Sequence, residues 1–266
     1  MAEEEQSDMR RKAWVARMAR QWRRGGTLCN RRNRALPRAG GTLSLPWLLM
    51  LILPRALLTL FLALVSALGA APEKWKASID KFTAADAAKP PPKGAILFAG
   101  SSSIVKWTSL KSDFPGKVIL NRGFGGSELS DLLHYADQVV IPYAPSRVVI
   151  YSGENDLQQG QTATAVHASF RALCEKVHAA LPETRIAFIS IKPSPSRAKI
   201  IPVVVEANRL IAAECARDPR RVFIDVYPAM LGTDGQPRRE LFVADMLHLS
   251  AAGYAVWRPL VAPFLE

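Results

Sequence analysis

Cysteine is scarce: the 266 residues hold three, none spaced as Cys-x-x-Cys and none clustered with histidine. The common zinc frameworks are thereby excluded, and no metal site is expected. There are only four histidines. No internal repeat is present. The chain also lacks a run of about 20 apolar residues free of charge, the usual requirement for a membrane span. Its longest apolar stretch, LPWLLMLILPRALLTLFLALVSALGAA over 45–71, is split by Pro54 and Arg55. Arg55, the apolar run Ala56 to Val65 and the small residues Ser66 to Ala71 instead follow the order of a secretory signal. Export after cleavage near Gly69 to Ala71 is the expectation, with anchoring of an uncleaved chain through 45–70 as the alternative.

Charge is abundant but unevenly placed. Of the formal +12, the head from Met1 to Ser44 carries +7, from eleven basic and four acidic residues. Arg55 takes one more, which leaves +4 for everything after it. A diffuse +4 is an ordinary solubility charge and gives no reason to expect a nucleic-acid partner. Residues 1–44 read as a basic leader, disordered or a start-site artefact with Met50 as the natural start. Residues 45–71 read as the signal-like segment, and 72–266 as the folded domain. With Cys29 in the leader, an exported domain keeps Cys174 and Cys215. They are expected on neighbouring helices, either paired or packed as buried thiols.

Beyond Pro72 the pattern is regular. Trp75, Ile79 and Phe82 recur at helical spacing in a lead-in helix that ends before Lys89-Pro90-Pro91-Pro92. Short apolar runs then alternate with helical patterns. The runs are Ala95–Ala99, Val118–Leu120, Val148–Tyr151, Ile186–Ile191 and Val222–Val226. Helices are expected near Ser103–Leu110, Leu129–Val140, Ala163–Leu181, Pro202–Arg217 and Ser250–Phe264. Such alternation predicts an α/β fold whose parallel sheet is covered on both faces. In such sheets chemistry gathers at the carboxyl ends of the strands.

Polar, glycine-rich segments follow the strands there. The first run ends in Gly100-Ser101-Ser102-Ser103 and the second in Asn121-Arg122-Gly123-Phe124-Gly125-Gly126. The third ends in Ser152-Gly153-Glu154-Asn155-Asp156, and Asp245-Met246-Leu247-His248 lies near the C-terminus. Read singly, each has an ordinary structural alternative: serines cap helices, glycines make turns, and a lone histidine packs or is solvated. His134, His167 and His178 fall within helical patterns, where such roles are expected. Asp156 reads as a turn carboxylate.

Taken in order, these segments resemble the four motifs of the SGNH (GDSL-type) hydrolase family, over about Ala95 to Glu266. Ser101 stands where that family usually carries Asp. The resemblance implies a flavodoxin-like three-layer α/β/α sandwich with five parallel strands in the order 2-1-3-4-5. It implies Ser102 as nucleophile and Asp245 and His248 as the rest of a catalytic triad. The oxyanion hole would be the Ser102 and Gly126 N–H groups and the Asn155 amide. No cofactor is implied. The types suit the chemistry: a serine hydroxyl needs a base, and an imidazole needs a carboxylate to hold its tautomer. Three residues apart, Asp245 and His248 would meet on one helical turn. The tetrahedral oxyanion needs fixed donors.

An α/β-hydrolase would require Gly-x-Ser-x-Gly, and Gly100-Ser101-Ser102-Ser103-Ile104 lacks the second glycine. The glycines at 123, 125 and 126 do not match Gly-x-Gly-x-x-Gly either. The sequence looks closest to the compact bacterial branch resembling platelet-activating-factor acetylhydrolase catalytic subunits. The expected activity is hydrolysis of short-chain, acetyl-type esters, with a carbohydrate O-acetylesterase or broad arylesterase role. A lysophospholipase, a thioesterase or a non-catalytic carbohydrate-binding relative is the alternative. The expected partner is a small ester or acylated glycan. Lys192 and Arg197, in the loop after the fourth strand, are candidates to contact its leaving group. A solvated proline-rich loop is the alternative for that segment.

Overall fold

The computed structural model describes residues 73–266. The readings of 1–44, of 45–71 and of Cys29 lie outside them. The expected lead-in helix is α1 (Glu73–Ala88). Five strands follow: β1 (Ile96–Gly100), β2 (Ile119–Gly123), β3 (Arg147–Tyr151), β4 (Arg185–Ile189) and β5 (Arg221–Ile224). They form one parallel sheet in the order β2-β1-β3-β4-β5, as the family resemblance implied.

The central strands β1, β3 and β4 bury both faces, so alternate residues feed two separate cores. On one face Leu97, Ala99, Val148, Ile150, Ile186 and Phe188 pack under helices α4 (Leu129–Val139), α6 (Ala163–Ala180) and α7 (Ile201–Cys215), with Ile79 of α1. On the other, Ile96, Phe98, Val149, Tyr151 and Ile189 meet Trp107 and the α8 helix (Ala251–Val261) through Tyr254, Trp257 and Val261. The chain runs outward from β1 to β2 and then back to β3. The carboxyl ends of β1 and β3 therefore flank the point where strand order reverses, the usual crevice of an open α/β sheet.

The helix expected over Ser103–Leu110 is broken into α2 (Ser102–Val105) and α3 (Leu110–Asp113). Trp107 is the cause. Its ring is buried against Phe98, Phe114 and Trp257, and its Nε1–H donates to Asp113 Oδ2 at 2.6 Å. Anchoring that ring in the core turns the chain out of helix. A further short helix, α5 (Glu154–Gln158), starts directly after β3.

Cys174 and Cys215 lie in the same core, on α6 and α7, and are unpaired. Burial pushes the Cys215 thiol up to about 12 and raises Cys174 as well. They behave as small apolar side chains. His178 is buried with Nε2 3.0 Å from the Thr184 carbonyl, His167 sits 3.2 Å from Glu214, and His134 packs edge-on against Tyr135.

Candidate active site

β1 ends in Gly100, whose φ of +128° and closeness to β3 tolerate only glycine: an added Cβ would lie 1.9 Å from the Tyr151 carbonyl oxygen. This close approach of β1 to β3 delivers Ser101-Ser102-Ser103 to the strand ends. Ser101 and Ser103 are buried, at 3% and 1% exposure, and Ser101 makes no side-chain cap bond. Ser102 is partly open and opens α2. As the first residue of a helix its N–H has no partner within that helix.

Asp245 and His248 do not sit on a helix, contrary to the spacing argument. They occupy a tight turn closed by the pairing of Phe242 with Leu249 and by Val243 N–H donating to the His248 carbonyl at 2.9 Å. Met246 takes the left-handed conformation there, φ +55°, which a non-glycine residue adopts at a cost. That reversal wraps the turn around one carboxylate. Asp245 Oδ1 accepts the N–H groups of Leu247 and His248, each at 2.9 Å, and Oδ2 lies 2.6 Å from His248 Nδ1. The His248 hydrogen bond, reinforced by those N–H groups, holds the Asp245 carboxyl well below the usual carboxylate range. An ionised carboxylate only accepts, so Nδ1 carries the imidazole proton and Nε2 is left as an acceptor. His248 Nε2 is 3.0 Å from Ser102 Oγ. The structure thus joins three of the sequence candidates in one chain of hydrogen bonds, across 146 residues.

The glycine turn after β2 runs alongside. A Cβ built on Gly125 would come within 3.9 Å of Ser102 Cβ. Gly126 has φ +81°, and its own added Cβ would press on the Trp75 ring at 3.2 Å. Among the described residues no group accepts the N–H of Ser102 or of Gly126. Asn155, on α5, has its Nδ2 donating to the Ser127 carbonyl at 2.9 Å, and its Oδ1 accepting from Arg197 Nη2 at 2.9 Å. One amide hydrogen remains uncommitted by these bonds.

The supporting roles of several residues escaped the sequence reading. Trp75 of α1 donates to Asp131 Oδ2 at 2.8 Å and meets Phe124 edge-on at 5.8 Å, which fixes its ring behind Gly126. Its helical periodicity marked it only as a packing residue. Lys192 is not free to touch a leaving group. It is 1% exposed and bonded to Glu154 and to the Tyr151 hydroxyl. Tyr151 and Ser194 also donate to Glu154. Burial pushes the Glu154 carboxyl up, but Lys192 and Arg197 outweigh it, and the carboxyl lies below its ordinary value. A charged Lys192 was legible as a cation; its partner, 38 residues away, was not. Asp156 is fully buried, accepts the Leu129 N–H at 2.9 Å and so caps α4 from another element. Burial pushes its carboxyl up to about 6.

Two hollows, of about 300 and 470 Å³, lie elsewhere and include no residue of this cluster.

Comparison with known proteins places this arrangement. The platelet-activating factor acetylhydrolase IB subunit alpha1 of Pongo abelii is 28% identical over 195 residues, covering 68% of this chain and 78% of that protein. A GDSL-like lipase of Bacteroides thetaiotaomicron shares the fold with a TM-score of 0.61 at 20% identity, over 71% of this chain and 97% of that one. A variant of an acetyl-xylooligosaccharide esterase from Geobacillus Stearmophilus does so with a TM-score of 0.53 at 15% identity, over 66% and 95%. The GDSL-like Lipase/Acylhydrolase family matches residues 90–256, from the turn before β1 into the last helix. The chain belongs to that family of ester hydrolases.

Proposed function

We propose that the protein hydrolyses short-chain, acetyl-type carboxylic esters through an acyl-enzyme on Ser102, with His248 as base and Asp245 as its orienting carboxylate. The observation that carries this reading is the relay of 3.0 Å from Ser102 Oγ to His248 Nε2 and 2.6 Å from His248 Nδ1 to Asp245. Ser102 Oγ attacks the ester carbonyl carbon while its proton passes to His248 Nε2. The carbonyl oxygen becomes an oxyanion facing the Ser102 and Gly126 N–H groups and the remaining Asn155 amide hydrogen. Collapse breaks the bond to the alcohol oxygen, which takes the proton from His248. Water then repeats the cycle, attacks the acyl carbon, and releases a carboxylic acid and free Ser102.

The finer statement, an acetyl group on a carbohydrate or aryl alcohol, draws support from the relatives named above. Two of them are, by name, a platelet-activating factor acetylhydrolase subunit and an acetyl-xylooligosaccharide esterase.

A p-nitrophenyl ester series from acetate to dodecanoate tests the reading, followed by acetate release from acetylated xylo-oligosaccharides. Turnover is expected to fall as the chain lengthens, and Ser102→Ala should abolish it with the fold intact. Activity rising toward long chains would refute the acetyl preference. Near-native turnover in Ser102→Ala would refute the nucleophile.

A further inference from the structure

We infer that Arg197 is a positioning residue for the oxyanion donor: its guanidinium locks the Asn155 side chain with the amide nitrogen, not the oxygen, toward the reacting carbonyl. The inference rests on the esterase reading above and extends it to a residue outside the triad and the oxyanion donors.

An asparagine amide has two nearly isosteric ends of opposite character. Flipped, it would present a carbonyl oxygen to an oxyanion and repel it. Something must choose the orientation, and two unambiguous partners do. The Ser127 carbonyl can only accept, so it pairs with Nδ2, at 2.9 Å. A guanidinium can only donate, so Arg197 Nη2 pairs with Oδ1, at 2.9 Å. Together they fix the amide plane and leave the second Nδ2 hydrogen unspent. The bond to Oδ1 is charge-assisted, and it polarises the amide so that its N–H is a stronger donor.

Arg197 is itself held. Its Nη1 lies 3.8 Å from Glu154 Oε1, and its side chain is 15% exposed. Glu154 is pinned in turn by Lys192, Tyr151 and Ser194. The preceding residue serves the other half of the site. Ser196 donates to the Met246 carbonyl through both its N–H, at 3.1 Å, and its hydroxyl, at 3.0 Å. Met246 is the left-handed residue that shapes the Asp245–His248 turn. Two consecutive residues of one loop therefore brace the donor on one side and the base on the other.

The test is a double-mutant cycle on Arg197 and Asn155, read as kcat and KM for p-nitrophenyl acetate. Arg197→Met is expected to lower kcat roughly tenfold, the scale of one hydrogen bond to a charged group, with KM changed by less than about twofold. In the Asn155→Ala background the same substitution should cost less than about twofold in kcat, because nothing remains to orient. Equal losses in both backgrounds, or a loss confined to KM, would overturn the proposal and assign Arg197 to direct substrate contact or to structure. If Arg197→Met does not fold, Arg197→Lys keeps a cation beside Glu154 without the planar fork, and the same non-additivity is expected of it. An Asn155→Ala enzyme with undiminished kcat would remove the oxyanion role itself, and with it the positioning role. A crippled Asn155→Ala enzyme with additive behaviour removes only the positioning role.

Discussion

Replacing Lys192 by Met is expected to destabilise the protein severely although no surface group is touched. Lys192 is 1% exposed and Glu154 5%, so the pair is sealed from water. Met keeps most of the apolar stem volume, and the loss is therefore mainly electrostatic. Glu154 would retain the Tyr151 hydroxyl at 2.8 Å, the Ser194 hydroxyl and the Arg197 guanidinium at 3.8 Å, but lose its nearest cation. Breaking a buried pair from one side costs about 3–5 kcal/mol, and the remaining partners favour the lower end. For a domain of this size, about 3 kcal/mol lowers Tm by on the order of 10 °C. The loss should also depend on pH. With Lys192 present, the Glu154 carboxyl lies below its ordinary value, so its contribution is present at neutral pH and is lost on acidification. Without Lys192, burial dominates and raises that carboxyl, so the variant regains stability as acid neutralises it. Urea unfolding at pH 7.5 and 5.5 reads both effects: the gap to the parent protein should narrow at the lower pH. Lys192→Met combined with Glu154→Gln should recover much of the loss at pH 7.5. A gap below about 1 kcal/mol at pH 7.5, or one unchanged by pH, would refute the reasoning.

Asp156→Asn should stabilise the protein at pH 7.5, by up to about 3 kcal/mol, since burial pushes the Asp156 carboxyl up to about 6 and its ionisation opposes folding above that pH. The Leu129 N–H keeps an acceptor, the stability profile between pH 4 and 7 should flatten, and a less stable variant at pH 7.5 would contradict the account. Cys174 and Cys215 should resist thiol reagents in the native protein, with both reacting after denaturation without reductant; a missing pair of thiols would reveal a bridge. Ester hydrolysis should survive chelators, and activity restored to chelated enzyme by a divalent ion would count against a serine mechanism.

The strands were legible because burial on both faces writes them as unbroken apolar runs, and Ile186–Ile191 or Val148–Tyr151 leave little else to be. Ser102, Gly126 and Asn155 stood out as candidates because each follows such a run with residue types of opposite character, and Asp245 and His248 because they complete the resemblance to the four motifs. What was not legible depends on distance in the chain. Helical periodicity continues through Trp107, and only the core that receives its ring explains the break there. The three-residue spacing of Asp245 and His248 fits a helix and a tight turn equally; the turn wins because Met246 takes φ +55° with its carbonyl held by Ser196, 50 residues earlier. Lys192 read as a cation for the leaving group or, alternatively, as part of a solvated loop, because nothing local announces a carboxylate sealed against it.

The helix before the family-matched stretch belongs to this machinery as well. The family match begins at residue 90, yet α1 ends at Ala88 and reaches the site from outside it. Ile79 is 1% exposed in the core beneath α4, and Asp86 binds Arg122 at the end of β2 at 2.6 Å. Trp75 then lies where any side chain on Gly126 would go. Arg122 thus ties β2 to α1, and Trp75 of the same helix packs against the left-handed Gly126. A domain cut at residue 90 would expose Ile79's seat and release the glycine turn that faces Ser102. Trp75, Ile79 and Asp86 thus join α1 to the Gly126 turn, the core and β2, and none of the three lies in the four motifs.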